Sequence, residues 1–295
     1  MTLRHAPDGA TQGEPVIEPV EIAPQGARPI DPARIRRNGA LYVFEHQVRV
    51  MRNYRSSIVA TAIGTPFVYL FAFGIGIGTL VTANLGPRAV DGVGYLTFVA
   101  PALIVMSVVG IAAMEFTYPI MLGFKWNPTY LGMNAAPLSG RQIIDGVTLF
   151  VLLRMAIPAL VYYAVMALFG AAPSALGVGV VLTSLLAGLA LGTPIMAYAA
   201  SITEDKGQFA VIARVVVLPL TLFSGTMFPL EQLPVYLQWI GWISPVWHGT
   251  ELGRQFTYGA TEPIWLTVIH VAYLLALAVG GWRLAVRIAT KRLDK

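Results

Sequence analysis

The chain has 295 residues, of which 56% are hydrophobic and only 12% charged, with a net charge of +5 and no cysteine. Soluble domains carry about 25% charged residues, so this is an integral membrane protein. The missing thiols exclude cysteine-ligated zinc, disulfides and dithiol redox chemistry. The basic residues gather at the ends of apolar segments, which argues for a membrane boundary and against nucleic acid.

Residues 1–33 lack the apolar core of a signal peptide and are rich in Pro, Glu and Gly, as in VIEPVEIAPQGARPIDP. That composition predicts a disordered cytoplasmic tail. Over 34–56, Leu41, Phe44, Val48 and Met51 fall at helical spacing, with Arg49, Arg52 and Arg55 off the stripe. The pattern predicts an N-terminal amphipathic helix in the inner membrane interface, with arginines on anionic headgroups. Packing of that helix on a partner is compatible with this reading.

The region 57–295 holds six apolar segments, at Ile58–Val81, Tyr95–Tyr118, Ile143–Phe169, Ala175–Ile202, Phe209–Phe228 and Ile264–Ile288. Each reaches the length of about 20 residues that a helical span needs. Lys125, Arg141 and Lys206 fall on the same side as the basic N-terminal run and C-terminal tail, with only Arg88 and Arg254 opposite. The positive-inside rule then predicts both termini in the cytoplasm, in keeping with an even number of spans. Between the fifth and sixth segments the chain breaks at Ser224-Gly225, Pro229, Pro234 and Pro245, yet stays aromatic through Tyr236, Trp239, Trp242 and Trp247. Pro245 and Gly249 deny it a second full span, and a water-exposed loop would not carry those tryptophans. The expectation is an outer re-entrant helical hairpin, since broken backbone at membrane depth needs protein or a cavity around it; an interfacial aromatic anchor is the plainer alternative. The expected fold is therefore all-α integral membrane: six transmembrane helices, an amphipathic interfacial helix, and a re-entrant hairpin between spans five and six.

Five segments carry a proline, at Pro66, Pro101, Pro158, Pro194 and Pro219, read as shaping helix packing. Gly74, Gly76 and Gly78 repeat at every second position, which suits close approach or local unwinding rather than a four-residue dimerisation face. Charges inside spans are few: Glu115, Arg154 and Arg214. Arginine can snorkel to headgroups, but glutamate needs a partner, and the antiparallel second and third spans make Glu115–Arg154 the natural ion pair. Its role is either packing or transport.

Catalytic motifs are sparse. None of Lys125, Lys206, Lys291 and Lys295 follows a glycine, so a Walker A loop is absent. Leu138-Ser139-Gly140-Arg141-Gln142 resembles an ABC ATPase signature but sits in a loop between spans, with no nucleotide domain around it. Ser224 with His270 would suit a rhomboid-like serine protease, although Leu222 stands where the motif wants glycine. An ion-coupled secondary transporter would need a midplane acid, whereas Glu115 lies near the inner edge. No metal motif is found. A membrane partner with no transport role of its own completes the alternatives.

Several stretches carry a family resemblance: Arg52-Asn53-Tyr54-Arg55, PFVYLFAFGIGIG at 66–78, GYLTFVAPALI at 94–104, TYLGMNAAPLSGRQIIDG at 129–146, LFSGTMFPLEQLP at 222–234 and ISPVWHGTELGRQF at 243–256. From about Tyr42 onward the chain resembles the transmembrane permease subunits of type-2 ABC exporters, in particular nodulation-factor (lipo-chitooligosaccharide) and daunorubicin-type drug exporter permeases. The resemblance implies a transport subunit that is not itself an enzyme and binds no cofactor. ATP and magnesium would be held by a cytoplasmic ABC ATPase, in two copies. A second permease copy or a sister permease, and membrane lipid, would complete the assembly. It further implies that 120–145 is the ATPase-coupling loop, with Tyr130, Asn134, Pro137, Ser139 and Arg141 as coupling residues. A substrate path would run by Ser224, Tyr236, Trp239, Trp242 and Trp247 for an amphipathic drug or glycolipid.

Overall fold

The computed structural model describes residues 32–86 and 90–294, so the tail expected over 1–33 lies, but for its last two residues, outside them. Helix dominates, and the only bridge among the described residues joins Val90 to Val93. Ten helices follow in order: α1 (Pro32–Met51), α2 (Ser56–Asn84), α3 (Tyr95–Trp126), α4 (Thr129–Ala135), α5 (Gly140–Leu168), α6 (Gly179–Ser201), α7 (Gln208–Leu222), α8 (Val235–Trp242), α9 (Pro245–Tyr258) and α10 (Ile264–Leu293).

Five of these, α2, α3, α5, α6 and α10, are long and apolar enough to cross a membrane. The expectation of six is corrected. The segment 209–228 does not form a span, because its helix α7 stops at Leu222. That helix rises roughly 22 Å, short of the ~30 Å hydrocarbon core. It is bounded by two glycines in left-handed backbone, Gly207 (φ 85°) and Gly225 (φ 62°), and its middle widens into a π turn over Ile212–Val217. No re-entrant hairpin is identified among the described residues. The chain from Pro229 onward forms a 3₁₀ turn, Leu230–Gln232, then the short α8 and the longer α9. Helix α9 carries His248, Thr250, Glu251 and Arg254, all but Glu251 buried. Its polar groups are placed against the bundle rather than against lipid, as a low-dielectric setting demands.

Helix α6 is the centre of the bundle. Its small residues let backbones approach, the usual device where lipid supplies no hydrophobic drive between helices. A Cβ on Gly188 would lie 2.8 Å from Met155 Sδ of α5 and 2.9 Å from Val108 of α3, and one on Gly192 would collide with the Phe116 ring. From the other side, a Cβ on Gly249 of α9 would lie 2.6 Å from Ala187 Cβ, and one on Gly281 of α10 would lie 2.5 Å from Pro194 N. Thr193 Oγ1 donates to Ala278 O at 2.8 Å, which ties α6 to α10. Pro66, Pro101, Pro158 and Pro194 lie within α2, α3, α5 and α6. Around Gly74 and Gly78, α2 widens into a π turn over Ala72–Ile77, the kind of local unwinding that the glycine repeat suggested.

These contacts fix directions. Helices α3, α6 and α10 run one way, and α2 and α5 the other. Because α6 and α10 are parallel, the chain between them must return to the end where α6 began. It sets out where Phe209 meets Tyr118 edge-on at 4.9 Å. It arrives where Arg254 reaches Phe98 near the start of α3. Helix α1, α4 and the last turns of α10 meet at the opposite end. Val43 of α1 is buried against Gly146, Gly140 faces Thr290, and Asn134 Nδ2 donates to Leu293 O at 3.2 Å. Val43, with Gly39 and Ala40, packs α1 against α5, while Leu41 of the apolar stripe stays exposed.

Candidate functional site

The structure brings Glu115 and Arg154 together across α3 and α5. Arg154 Nη2 and Nε donate to Glu115 Oε1 at 2.8 and 3.1 Å, with both side chains about four-fifths buried. The fork satisfies one carboxylate oxygen with two charge-assisted bonds. Beside this pair a cavity of about 540 Å³ opens between α3 and α7, walled by Gly110, Met114, Tyr118, Phe209 and Val217, with Glu115 in its lining. That volume lies within the range of small-molecule pockets, about 300–1,000 Å³. An apolar wall with one neutralised carboxylate suits an apolar or amphipathic occupant. Arg214, the third charge, is exposed on the π turn of α7.

At the other end, the breaks of 224–254 lock into one another. Gly225 adopts φ 62°, and a Cβ there would meet Leu230 at 3.2 Å. Ser224 Oγ donates to Leu220 O and bonds Ser244 Oγ at 2.6 Å; Ser244 caps α9 by accepting from Val246 N at 3.2 Å. Arg254 is 2% exposed. Its Nη2 donates to Gly225 O at 2.8 Å, its Nη1 to Glu251 Oε1 at 2.6 Å, and its guanidinium lies over the Phe98 ring at 3.8 Å. Burial raises the Glu251 carboxyl above the ordinary range, with Arg254 opposing.

Next to Arg254 runs a chain of imidazoles. His248 Nε2 lies 3.0 Å from Trp242 O, His248 Nδ1 lies 2.6 Å from His270 Nδ1, and His270 Nε2 lies 3.2 Å from Glu262 Oε2. A carbonyl can only accept, so Nε2 of His248 carries the proton and its Nδ1 accepts from His270. Burial, then the neighbouring His270, lowers His248 to about 4, with the Trp242 carbonyl and Glu262 opposing. Glu262 was not singled out by sequence reasoning, because it lies beyond the motif stretch; only its place among apolar residues ahead of a span could have marked it.

Ser224 and His270 are therefore not a nucleophile and its base. The serine hydroxyl is bound to Leu220 O and Ser244, and the His270 nitrogens face His248 and Glu262. No group of three His, Cys, Asp or Glu among the described residues could hold a metal ion.

Tyr236, Trp239 and Trp242 line one exposed face of α8, at 73%, 53% and 52% exposure. Trp247 instead packs edge-on against His248 and His270 at 4.9 Å, and Ser224 is fully buried. At the α1 end, Tyr130 is buried, edge-on to Phe124 at 5.0 Å and pressed against Gly123. Ser139 forms a capping box with Gln142 that starts α5. Arg141 lies 3.5 Å from Asp145 and over the Trp282 ring at 5.5 Å, and Pro137 is exposed. Trp126 and Leu131, not singled out from the sequence, supply exposed apolar surface there. An exposed tryptophan beside Lys125 was the available signal.

A family model described as "ABC-2 type transporter" matches residues 41–258. The chain belongs to the ABC-2 type transporter family. The chain is also similar to proteins named nodulation protein J: 27% identical over 257 residues in Rhizobium leguminosarum bv. viciae, covering 82% of this chain and 92% of the relative. The Rhizobium meliloti (strain 1021) protein is 23% identical over 248 residues, with 82% and 91% covered. The Neorhizobium galegae protein is 24% identical over 230 residues, with 78% and 84% covered. The ABC-2 match spans α2 to α9, so the Glu115 cavity, the Arg254 junction and the α4 segment all belong to the family's shared body. This chain is thus a multi-pass permease subunit of an ABC exporter system.

Proposed function

We propose that this permease moves an amphipathic substrate, a drug or a glycolipid such as a lipo-oligosaccharide, outward across the bacterial inner membrane, with both termini cytoplasmic. ATP-driven closure of two copies of a cytoplasmic ABC ATPase would power it, and a second permease copy or a sister chain would complete the translocation unit. The observation that carries the reading is the 540 Å³ cavity, mostly apolar and with its one charged residue, Glu115, paired to Arg154, set within an ABC-2 body. Differential affinity for cargo between two states of such a body is what export needs. The likeness to nodulation proteins J over most of the chain supports a glycolipid among the candidates. The segment 120–145 lies at the end where α1 and the last turns of α10 meet, which supports its assignment as the ATPase dock. Asn134, Pro137, Ser139 and Arg141 would shape that surface, with Tyr130 as its internal support. The exposed face of Tyr236, Trp239 and Trp242 would border the exit, and Trp247 and Ser224 would hold that border in place.

Gentle purification of the full chain from its native host tests this. Recovery of a stoichiometric Walker-type ATPase, with ATP-driven movement of a glycolipid in proteoliposomes, is expected. Recovery of no ATPase even after crosslinking would overturn it.

A further inference from the structure

We infer that the cavity beneath Tyr162 is a subsite for an uncharged, hydroxyl-bearing part of the substrate, a saccharide ring rather than a charged headgroup. This rests on the export reading above. Tyr162 of α5 is 1% exposed, and its Oη has no hydrogen-bond partner. Buried hydroxyls left unpaired are uncommon, and each carries a desolvation cost. This one lines a cavity of about 240 Å³ together with Thr65, Tyr69, Ser107 and Thr221, with Leu103 and Met106 as apolar wall. A smaller cavity of about 130 Å³ shares Thr65, Ser107 and Tyr162. Together they reach the lower range of small-molecule sites, about 300 Å³.

The chemistry of the lining selects the ligand. No carboxylate, ammonium, guanidinium or imidazole borders either cavity. A phosphate, carboxylate or amine seated there would be a charge without a counter-charge at low dielectric. Thr221 Oγ1 already donates to Leu218 O at 2.8 Å, so it offers a ligand its lone pairs. Tyr162 can donate. A group that accepts from Tyr162 and donates to Thr221 does both at once, which is what a sugar hydroxyl does. The two tyrosine rings and Met106 offer apolar surface to the C–H face of such a ring. One water, about 30 Å³, satisfies the tyrosine but occupies little of this space.

The test measures binding of radiolabelled palmitoyl-chitotetraose, and of its permethylated form, to the full chain co-purified with its ATPase in nanodiscs. Permethylation keeps the acyl chain and the rings but removes the hydroxyl donors. The wild type is expected to prefer the free form, and Tyr162→Phe is expected to weaken its binding about three- to tenfold while leaving permethylated binding unchanged. Tyr162→Phe deletes only an unpartnered hydroxyl, so its melting temperature is expected to hold or rise; Ser107→Ala gives an independent reading of the same cavity. Equal preference in wild type and both variants overturns the subsite. No saturable binding by the wild type overturns the saccharide ligand altogether. Saturable, hydroxyl-dependent binding without ATP-driven transport leaves the subsite standing and overturns the export reading instead.

Discussion

Two polar pairings at residue scale set opposite tests. Arg154 and Glu115 share a fork of two bonds in a partly buried setting. Removing one partner leaves the other charge uncompensated, and a cost of about 2 kcal/mol is expected for Glu115→Ala or Arg154→Ala, less than for a fully buried pair because both side chains keep about a fifth of their surface exposed. The exchange Glu115→Arg with Arg154→Glu is expected to recover most of that loss in thermal melting; an exchange as unstable as the single variants would show that the pair is not the reason for the cost. His248 works through protons. Its value falls from the ordinary 6.5 to about 4 because burial penalises the charged ring, with His270 adding to it. Between those values the unfolded chain binds the more protons, so stability is complete above about pH 6.5 and is lost as pH falls toward 4. The melting temperature of the wild type is expected to drop on acidification through that window more steeply than that of His248→Gln. Equal slopes would remove His248 from the account.

Among the elements, the glycines separate packing from propensity. Gly280 and Gly281 are neighbours on α10. A Cβ on Gly280 meets nothing within 4 Å, whereas one on Gly281 lies 2.5 Å from Pro194 N of α6, a backbone atom that cannot swing away. Alanine favours a helix over glycine by about 1 kcal/mol, so Gly280→Ala is expected to raise the melting temperature. Gly281→Ala is expected to lower it, by an overpacking cost of about 1–3 kcal/mol. Two shifts of the same sign would refute the close approach of α6 and α10. The sequence displayed both glycines and could not tell them apart, because the distinction lies in which face α10 turns to α6. The five long helices were legible from apolar length alone. Helix α7 was not. Its apolar run continues to Phe228, and although the break at Ser224-Gly225 is visible in the sequence, the left-handed turn at Gly225 that Arg254 stabilises from a distant part of the chain is not. Arg254 could be read as a lone charge in a motif, but not as the residue that joins α3, the 225 turn and α9. Likewise the tryptophans of 239–247 were legible as a cluster, while Trp247 turning inward to the histidines was not.

For the whole molecule, the question is where such a bundle meets its partners. The α1 end is knit by internal contacts. Arg292 Nη1 donates to Ala200 O and Ile202 O at 2.8 and 2.7 Å, and its guanidinium covers the Phe124 ring at 4.4 Å. Helix α4 joins this knot through Asn134, which donates to Leu293 O, so under the docking proposed above a push on α4 would be passed to α10. At the far end, α8 is set differently. Gly241 rests on Leu230 and the Phe223 carbonyl, whereas Tyr236, Trp239 and Trp242 face outward. Three large aromatics on one exposed helical face contribute little to the chain's own core, so their removal isolates function from folding. Replacing Trp239 and Trp242 together by alanine is expected to leave the melting temperature and the recovery of the ATPase unchanged, while ATP-driven export in proteoliposomes falls at least severalfold. Intact export by that double variant would take the aromatic face out of the substrate path. Loss of the co-purified ATPase would mean instead that the far end of the bundle governs the α4 surface through α9 and α6, and the coupling surface would then extend through the Arg254 junction.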